Sequence, residues 1–187
     1  DRSLMTQEEK TVDYLHFWLS GSGLPAEAKE TIQDALNSTS DRELTIQKKD
    51  AKRQLPLTIH RNNIIELKGT EWLGDEIMNF YGALVTNENK NDDCYIFNTF
   101  FFDKLGRGDY ASVENFTTHI NVFEKKFVFI PLNVNKNHWC CGIIDIFNKK
   151  LKYYDSLGGE KPDHNAKDFY TKINEWLKEE AKSKGQQ

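Results

Sequence analysis

Two side chains in this sequence are of the types used for acid–base chemistry and lie where a fold could join them. His138 opens the run His138-Trp139-Cys140-Cys141-Gly142-Ile143, and Asp155 follows Leu151–Tyr154 just ahead of Ser156-Leu157-Gly158-Gly159. If these runs are strands paired across a turn at Asn148, His138 and Asp155 fall at the same end of a hairpin. A carboxylate there would hold the imidazole tautomer and stabilise the protonated ring, the two tasks of the third member of a catalytic triad. The plainer reading stands beside it, since His and Asp at strand ends are commonly solvated loop residues. The thiols are Cys94, Cys140 and Cys141. Neighbouring strand residues point to opposite faces, so one of Cys140 and Cys141 is expected to face the core as a small apolar side chain. Cys94 is expected in a polar loop, and none of the three is expected to act as a nucleophile. Their spacing matches neither a disulfide framework nor a metal site. Reduced thiols in a cytosolic or nuclear protein follow, with no metal and no cofactor.

Trp72, Trp139 and Asp75 each allow two readings. A tryptophan is more commonly a core anchor than the wall of a binding site, because it buries a large apolar area. An aspartate opening a helix is commonly there for the helix dipole rather than for recognition.

Positioning these residues requires a sheet with helices around it. Thr6 with Glu9 makes a capping-box pattern before Val12, Leu15 and Leu19, and Gly21-Ser22-Gly23 ends that helix. Pro25 suits the first turn of the next, with Ala28, Ile32, Ala35 and Leu36 on its apolar side. The charged stretch 41–53 gives no clear element. Leu55, Leu57 and Ile59 alternate as in a strand, which Pro56 places at an edge. Ile77, Phe80, Tyr81 and Leu84 predict an amphipathic helix over 75–85. The aromatic cluster 97–102 reads as the buried opening of a short helix. Apolar runs at 127–132 and 139–147 read as strands, with 151–154 returning after the turn. Phe169, Ile173, Trp176 and Leu177 mark one face of a C-terminal helix. Helices at both ends with strands between give an α+β domain.

Composition narrows the classes. The 187 residues suffice for one domain with a real core, and 38% hydrophobic with 29% charged residues argues against disorder. With 25 basic and 29 acidic residues the formal net charge is −4, and no basic stripe marks a nucleic-acid binder. No apolar run approaches the roughly 20 residues of a membrane-spanning helix, and the start Asp-Arg-Ser-Leu-Met is unlike a signal peptide. A first residue other than Met is expected of an excised fragment.

Taken together, the runs TEWLGDEIMNFYGAL, IFNTFFFDKL and FVFIPLNVNKNHWCCGIIDIFNKKLKYYDSLGG resemble, in unbroken order from about Leu55 to Gly159, the catalytic domain of the sentrin/SUMO-specific cysteine proteases. The resemblance continues more faintly into the C-terminal helix. It implies a papain-like, adenain-like α+β fold with a central mixed sheet and flanking helices. His138 would be the general base and Asp155 its orienting carboxylate. Trp72 and Trp139 would wall a narrow tunnel for the modifier's terminal Gly-Gly, which only residues without side chains can pass. Asp75 would meet a basic residue on the modifier, and Phe123, in INVFEKKF, matches an aromatic substrate contact.

Two departures stand out. Gly74 occupies a position that is usually Asn in the family. More seriously, the family's Gln and Asp-Cys-Gly, which supply the oxyanion donor and the nucleophile, do not occur in these 187 residues. The expected organisation is therefore one C-terminally incomplete catalytic domain over 1–187, with a helical lead-in at 1–54 and a catalytic core at 55–187. If the absent part carries the central helix, one face of the sheet is expected to be bare. The implied function is cleavage after the modifier's Gly-Gly, in precursor maturation and in release of SUMO from conjugated proteins. The implied protein is monomeric, nuclear or at the nuclear envelope with cytoplasm as a further site, and engages neither nucleic acid nor membrane. Alternatives are a non-catalytic binder of ubiquitin-like proteins, or a protease for the neddylation modifier or another ubiquitin-like protein.

Overall fold

Phe127–Val134 and His138–Asp145 are apolar, rich in β-branched and aromatic residues, and too short for buried helices; both form strands. A computed structural model describes residues 25–37, 45–49, 56–68, 72–89, 91–158 and 164–186. The chain divides into two compact units, Asp1–Lys48 with Leu57–Ile77 and Lys49–Pro56 with Met78–Gln187.

In the first unit, helix α1 (Ala26–Asn37) buries Ala35 and Leu36, as its periodicity predicts. Arg61, at the start of the short helix α2 (Arg61–Ile65), donates to the Asp34 carbonyl at 2.7 Å and to its carboxylate at 3.1 Å. Strands β1 (Thr45–Lys49) and β2 (Pro56–His60) make a two-stranded sheet. The alternation around Ile59 predicts β2. No comparable pattern marks β1, whose sequence Thr-Ile-Gln-Lys-Lys is mostly polar. The predicted first helix and its Gly-Ser-Gly stop lie outside the described residues.

Helix α3 (Asp75–Glu88) runs three residues past the predicted end. From Met78 onward it belongs to the second unit, which is built on a four-stranded sheet in the order β3-β4-β5-β6. Strand β3 (Cys94–Ile96) is parallel to β4 (Phe127–Val134). Strand β5 (His138–Asp145) is antiparallel both to β4 and to β6 (Lys150–Tyr154). The expected mixed sheet and α+β class are observed.

Pairing of Phe129 with Ile143 and of Ile143 with Lys152 sorts the side chains into two faces. One face carries Tyr95, Val128, Ile130, Leu132, Cys140 and Ile144, all buried. It is covered by α4 (Phe100–Arg107), through Phe101 and Leu105, and by α5 (His164–Ser183), through Phe169, Ile173 and Trp176. Phe97 stacks on Phe101 at 3.8 Å, and both present edge-to-face geometry to Trp176. The other face carries Ile96, Phe127, Phe129, Pro131, Trp139, Cys141 and Ile143, all only half-buried. Helix α3 rests on part of it, its Gly82 close against Ile96.

Two local devices hold the β5–β6 hairpin. The buried Asp145 accepts from the Asn148 amide N–H at 3.0 Å and from Lys152 Nζ at 2.8 Å. These bonds hold its carboxyl at about 2, with the Lys152 bond the largest cause. Lys149 takes the left-handed conformation (φ 53°) that closes the turn. Strand β5 stops at Asp145, two residues short of the predicted Phe147, which is exposed in the turn.

Gly142 lets α5 lie directly on the sheet, because a Cβ there would overlap the Phe169 ring. Gly142→Ala is expected to cost about 1–3 kcal/mol through overpacking. The check is urea unfolding, where the midpoint should fall at constant slope; an unchanged midpoint would mean that α5 sits less closely than described.

Candidate active site

Register places the site. Cys141 pairs with Tyr154, so one step further along each strand Cys140 stands opposite Asp155. His138 lies two residues before Cys140 on the same face of β5. The imidazole therefore reaches diagonally to the carboxylate, and Nε2 of His138 lies 2.5 Å from Oδ1 of Asp155. Their side chains are 15% and 18% exposed, shielded from bulk water yet open to a reactant.

The carboxylate is fixed from a second side. Its Oδ1 also accepts the Leu157 N–H at 2.8 Å, in a turn made by Asp155 itself. The His138 bond, then the Leu157 bond, hold the Asp155 carboxyl below the usual carboxylate range. An ionised Asp155 on Nε2 requires the ring proton at Nε2 in the neutral imidazole. Nδ1 is then a free acceptor, and it has no partner among the described residues. Such a ring can take a proton at Nδ1 while Asp155 stabilises the resulting cation.

The cysteines divide by face. Cys140 is buried on the helix-covered side, its thiol beside the His138–Asp155 pair. Cys141 is half-buried on the other face, and burial pushes its thiol up, away from nucleophilic character. Cys94 is the first residue of β3, paired with Phe127, rather than a loop residue as expected. Cys140 and Asp155 as direct cross-strand neighbours were not foreseen. The signal was available in the hairpin, because a turn centred on Asn148 fixes that pairing.

The remaining expected site residues are spread over both units. Trp72 and Asp75 belong to the first; Phe123, His138, Trp139 and Asp155 belong to the second. Trp72 is 63% exposed, which does not suit a core anchor. Two residues on, the Gly74 N–H donates to the Glu66 carboxylate at 2.7 Å. A Cβ at Gly74 would press on that carboxylate at 3.1 Å, so glycine here goes with a close Glu66. Asp75 opens α3 and is half-buried. Trp139 is half-buried and points to the opposite face of β5 from His138. Phe123 lies in a single 3₁₀ turn, Val122–Glu124, and packs against the core of the second unit. Among the described residues no helix is long and apolar enough to cross a membrane.

Known proteins are similar to this chain in sequence and fold. Residues 71–187 match the model for the Ulp1 protease family, C-terminal catalytic domain. Sentrin-specific protease 2 of Homo sapiens is 40% identical over 105 residues, covering 54% of this chain and 18% of that protein. Ubiquitin-like-specific protease 1A of Arabidopsis thaliana is 31% identical over 129 residues, covering 57% and 25%. The chain thus spans a quarter or less of the length of these curated relatives. Among solved structures, the C-terminal Ulp1 protease domain in complex with Smt3, the yeast ortholog of SUMO, superposes with a TM-score of 0.72 at 25% identity. That match covers 85% of this chain and 68% of that one. SUMO protease Ulp1 with its catalytic cysteine oxidised to a sulfonic acid gives 0.70 at 27% identity, with the same coverage.

The Asp155 carboxyl is expected to titrate below the ordinary value of about 3.9. Its pairing then stabilises the fold above that pH, and the contribution fades as pH falls through the lowered folded value. Carboxyl 13C NMR of Asp155 checks this directly. His138→Ala should bring the titration back up, and an unchanged midpoint would mean that the pair does not form in solution.

Proposed function

This chain belongs to the Ulp1 protease family, and from that membership we propose that it is part of a SUMO-specific cysteine protease. It cleaves after the modifier's C-terminal Gly-Gly, both to mature precursors and to release SUMO from conjugated proteins. The observation that carries this reading is the 2.5 Å contact between His138 Nε2 and Asp155 Oδ1, which leaves Nδ1 free to accept a proton. A binder without catalysis has no use for an aligned base.

In the proposed reaction a thiol gives its proton to Nδ1 of His138, and the thiolate attacks the carbonyl carbon of the modifier's last glycine. Asp155 stabilises the imidazolium meanwhile. The C–N bond breaks as Nδ1 returns the proton to the leaving amine, and water then hydrolyses the thioester. The nucleophile is a cysteine other than Cys94, Cys140 and Cys141. The catalytic core comprises 55–187, with 1–54 as lead-in.

Trp72 and Trp139 are the proposed walls of the Gly-Gly tunnel, Asp75 a charge partner for a basic residue of the modifier, and Phe123 an aromatic contact. We further propose, by analogy with the family, a nuclear or nuclear-envelope location with a cytoplasmic share, and action as a monomer without nucleic acid or membrane insertion.

The test is hydrolysis of SUMO precursors and conjugates compared with those of the neddylation modifier; no cleavage of any SUMO form would overturn the assignment. His138→Ala should lower turnover by at least about 10²-fold with modifier affinity nearly intact. Equal losses of both would make His138 structural. Trp139→Ala should weaken binding and turnover together, whereas unchanged kinetics would remove Trp139 from the tunnel.

A further inference from the structure

A third donor atom lies beside the His138–Asp155 pair. The Sγ of Cys140, a ring nitrogen of His138 and a carboxylate oxygen of Asp155 all lie within 4.8 Å of one another. We propose that these three residues form a binding site for a thiophilic divalent metal ion, zinc above all, and that metal binding switches the base off.

The ligand set suits the ion. Imidazole, thiolate and carboxylate are all zinc donors, and three protein ligands with one open position make an accepted zinc coordination. Sulfur disfavours calcium and magnesium. A thiolate and a carboxylate together neutralise the double charge, which matters in a site this shielded from water. Bond lengths of about 2.0–2.3 Å in a tetrahedron set donor atoms roughly 3.3–3.8 Å apart. His138 and Asp155 must therefore separate by about 1 Å and Cys140 must approach by a similar amount, within reach of side-chain rotation. The backbone already provides the arrangement, with alternate residues of one strand on one face and Asp155 directly across from Cys140.

The regulatory consequence, which rests on the protease reading, follows from the tautomer. On binding, the Cys140 thiol loses its proton to solvent, and the metal takes the Nε2 lone pair of His138. The single ring proton must then sit on Nδ1. Nδ1 becomes a donor and cannot accept the nucleophile's proton. The metal also displaces Asp155 from the ring that it steadies.

Cobalt(II) added to the protein carrying this chain provides the test. One equivalent should give a thiolate-to-metal charge-transfer band with tetrahedral d–d absorption, displaced by zinc. The band should be lost in Cys140→Ser and kept in Cys141→Ser and Cys94→Ser. A band that survives Cys140→Ser, or none in the unmodified chain, would overturn the site. Because Cys140→Ser could simply unfold a buried position, imidazole 15N NMR of the unmodified chain gives an independent readout. Zinc should shift Nε2 of His138 and leave the proton on Nδ1; an unchanged ring overturns the proposal. Neither readout uses a modifier or hydrolysis, so a failed metal site and a failed SUMO assignment remain distinguishable.

Discussion

The antiparallel register of the β5–β6 hairpin is the constraint on which the site depends. Side chains alternate strictly along a strand, so a slip of one residue would turn every side chain of β6 to the opposite face. Asp155 would then leave His138, and Cys140 would lose its cross-strand neighbour. The register is pinned at the turn by the buried Asp145, bonded to Asn148 and Lys152. It is fixed again at the face by Gly142, where only a residue without a side chain admits the Phe169 ring. The chemistry at one end of the hairpin is thus set by polar bonds at the other end and by packing between them.

The two faces of the sheet serve different ends. The face under α4 and α5 holds the apolar core and, at its margin, His138 with Asp155. The opposite face holds Trp139, Cys141 and the half-buried aromatics of β4. The adjacent thiols of Cys140 and Cys141 consequently live in unlike surroundings. One sits beside an imidazole and a carboxylate; the other is held as an inert thiol by burial. Placing a soft sulfur donor next to the imidazole couples two chemistries in one spot, since whatever occupies Nε2 decides what Nδ1 can do.

Much of this was legible in the sequence because the strongest signals are local. Strands β4, β5 and β6 announce themselves as short apolar runs around a turn, and α3 and α5 through the spacing of Ile77, Phe80, Phe169, Ile173 and Trp176. The meeting of His138 with Asp155 needed only that hairpin. What escaped depends on partners distant in sequence or on atoms without a residue code. β1 is mostly polar, so no periodicity marks it. Cys94 looks like a loop residue until Phe127 pairs with it. The Leu157 amide that steadies Asp155 is a backbone group. The surroundings of Cys140 required the pairing to be carried one residue beyond β6, a step that counting cysteine spacings alone does not take.

The measurement that bears most directly on the His138–Asp155 pair as the base of a SUMO protease is covalent capture. The protein carrying this chain is treated with SUMO ending in a cysteine-reactive electrophile, and the modified peptide is identified by mass. The geometry predicts one adduct, on a cysteine other than Cys94, Cys140 and Cys141, formed much more slowly in His138→Ala. An adduct on one of those three thiols, or a rate indifferent to His138, would contradict it.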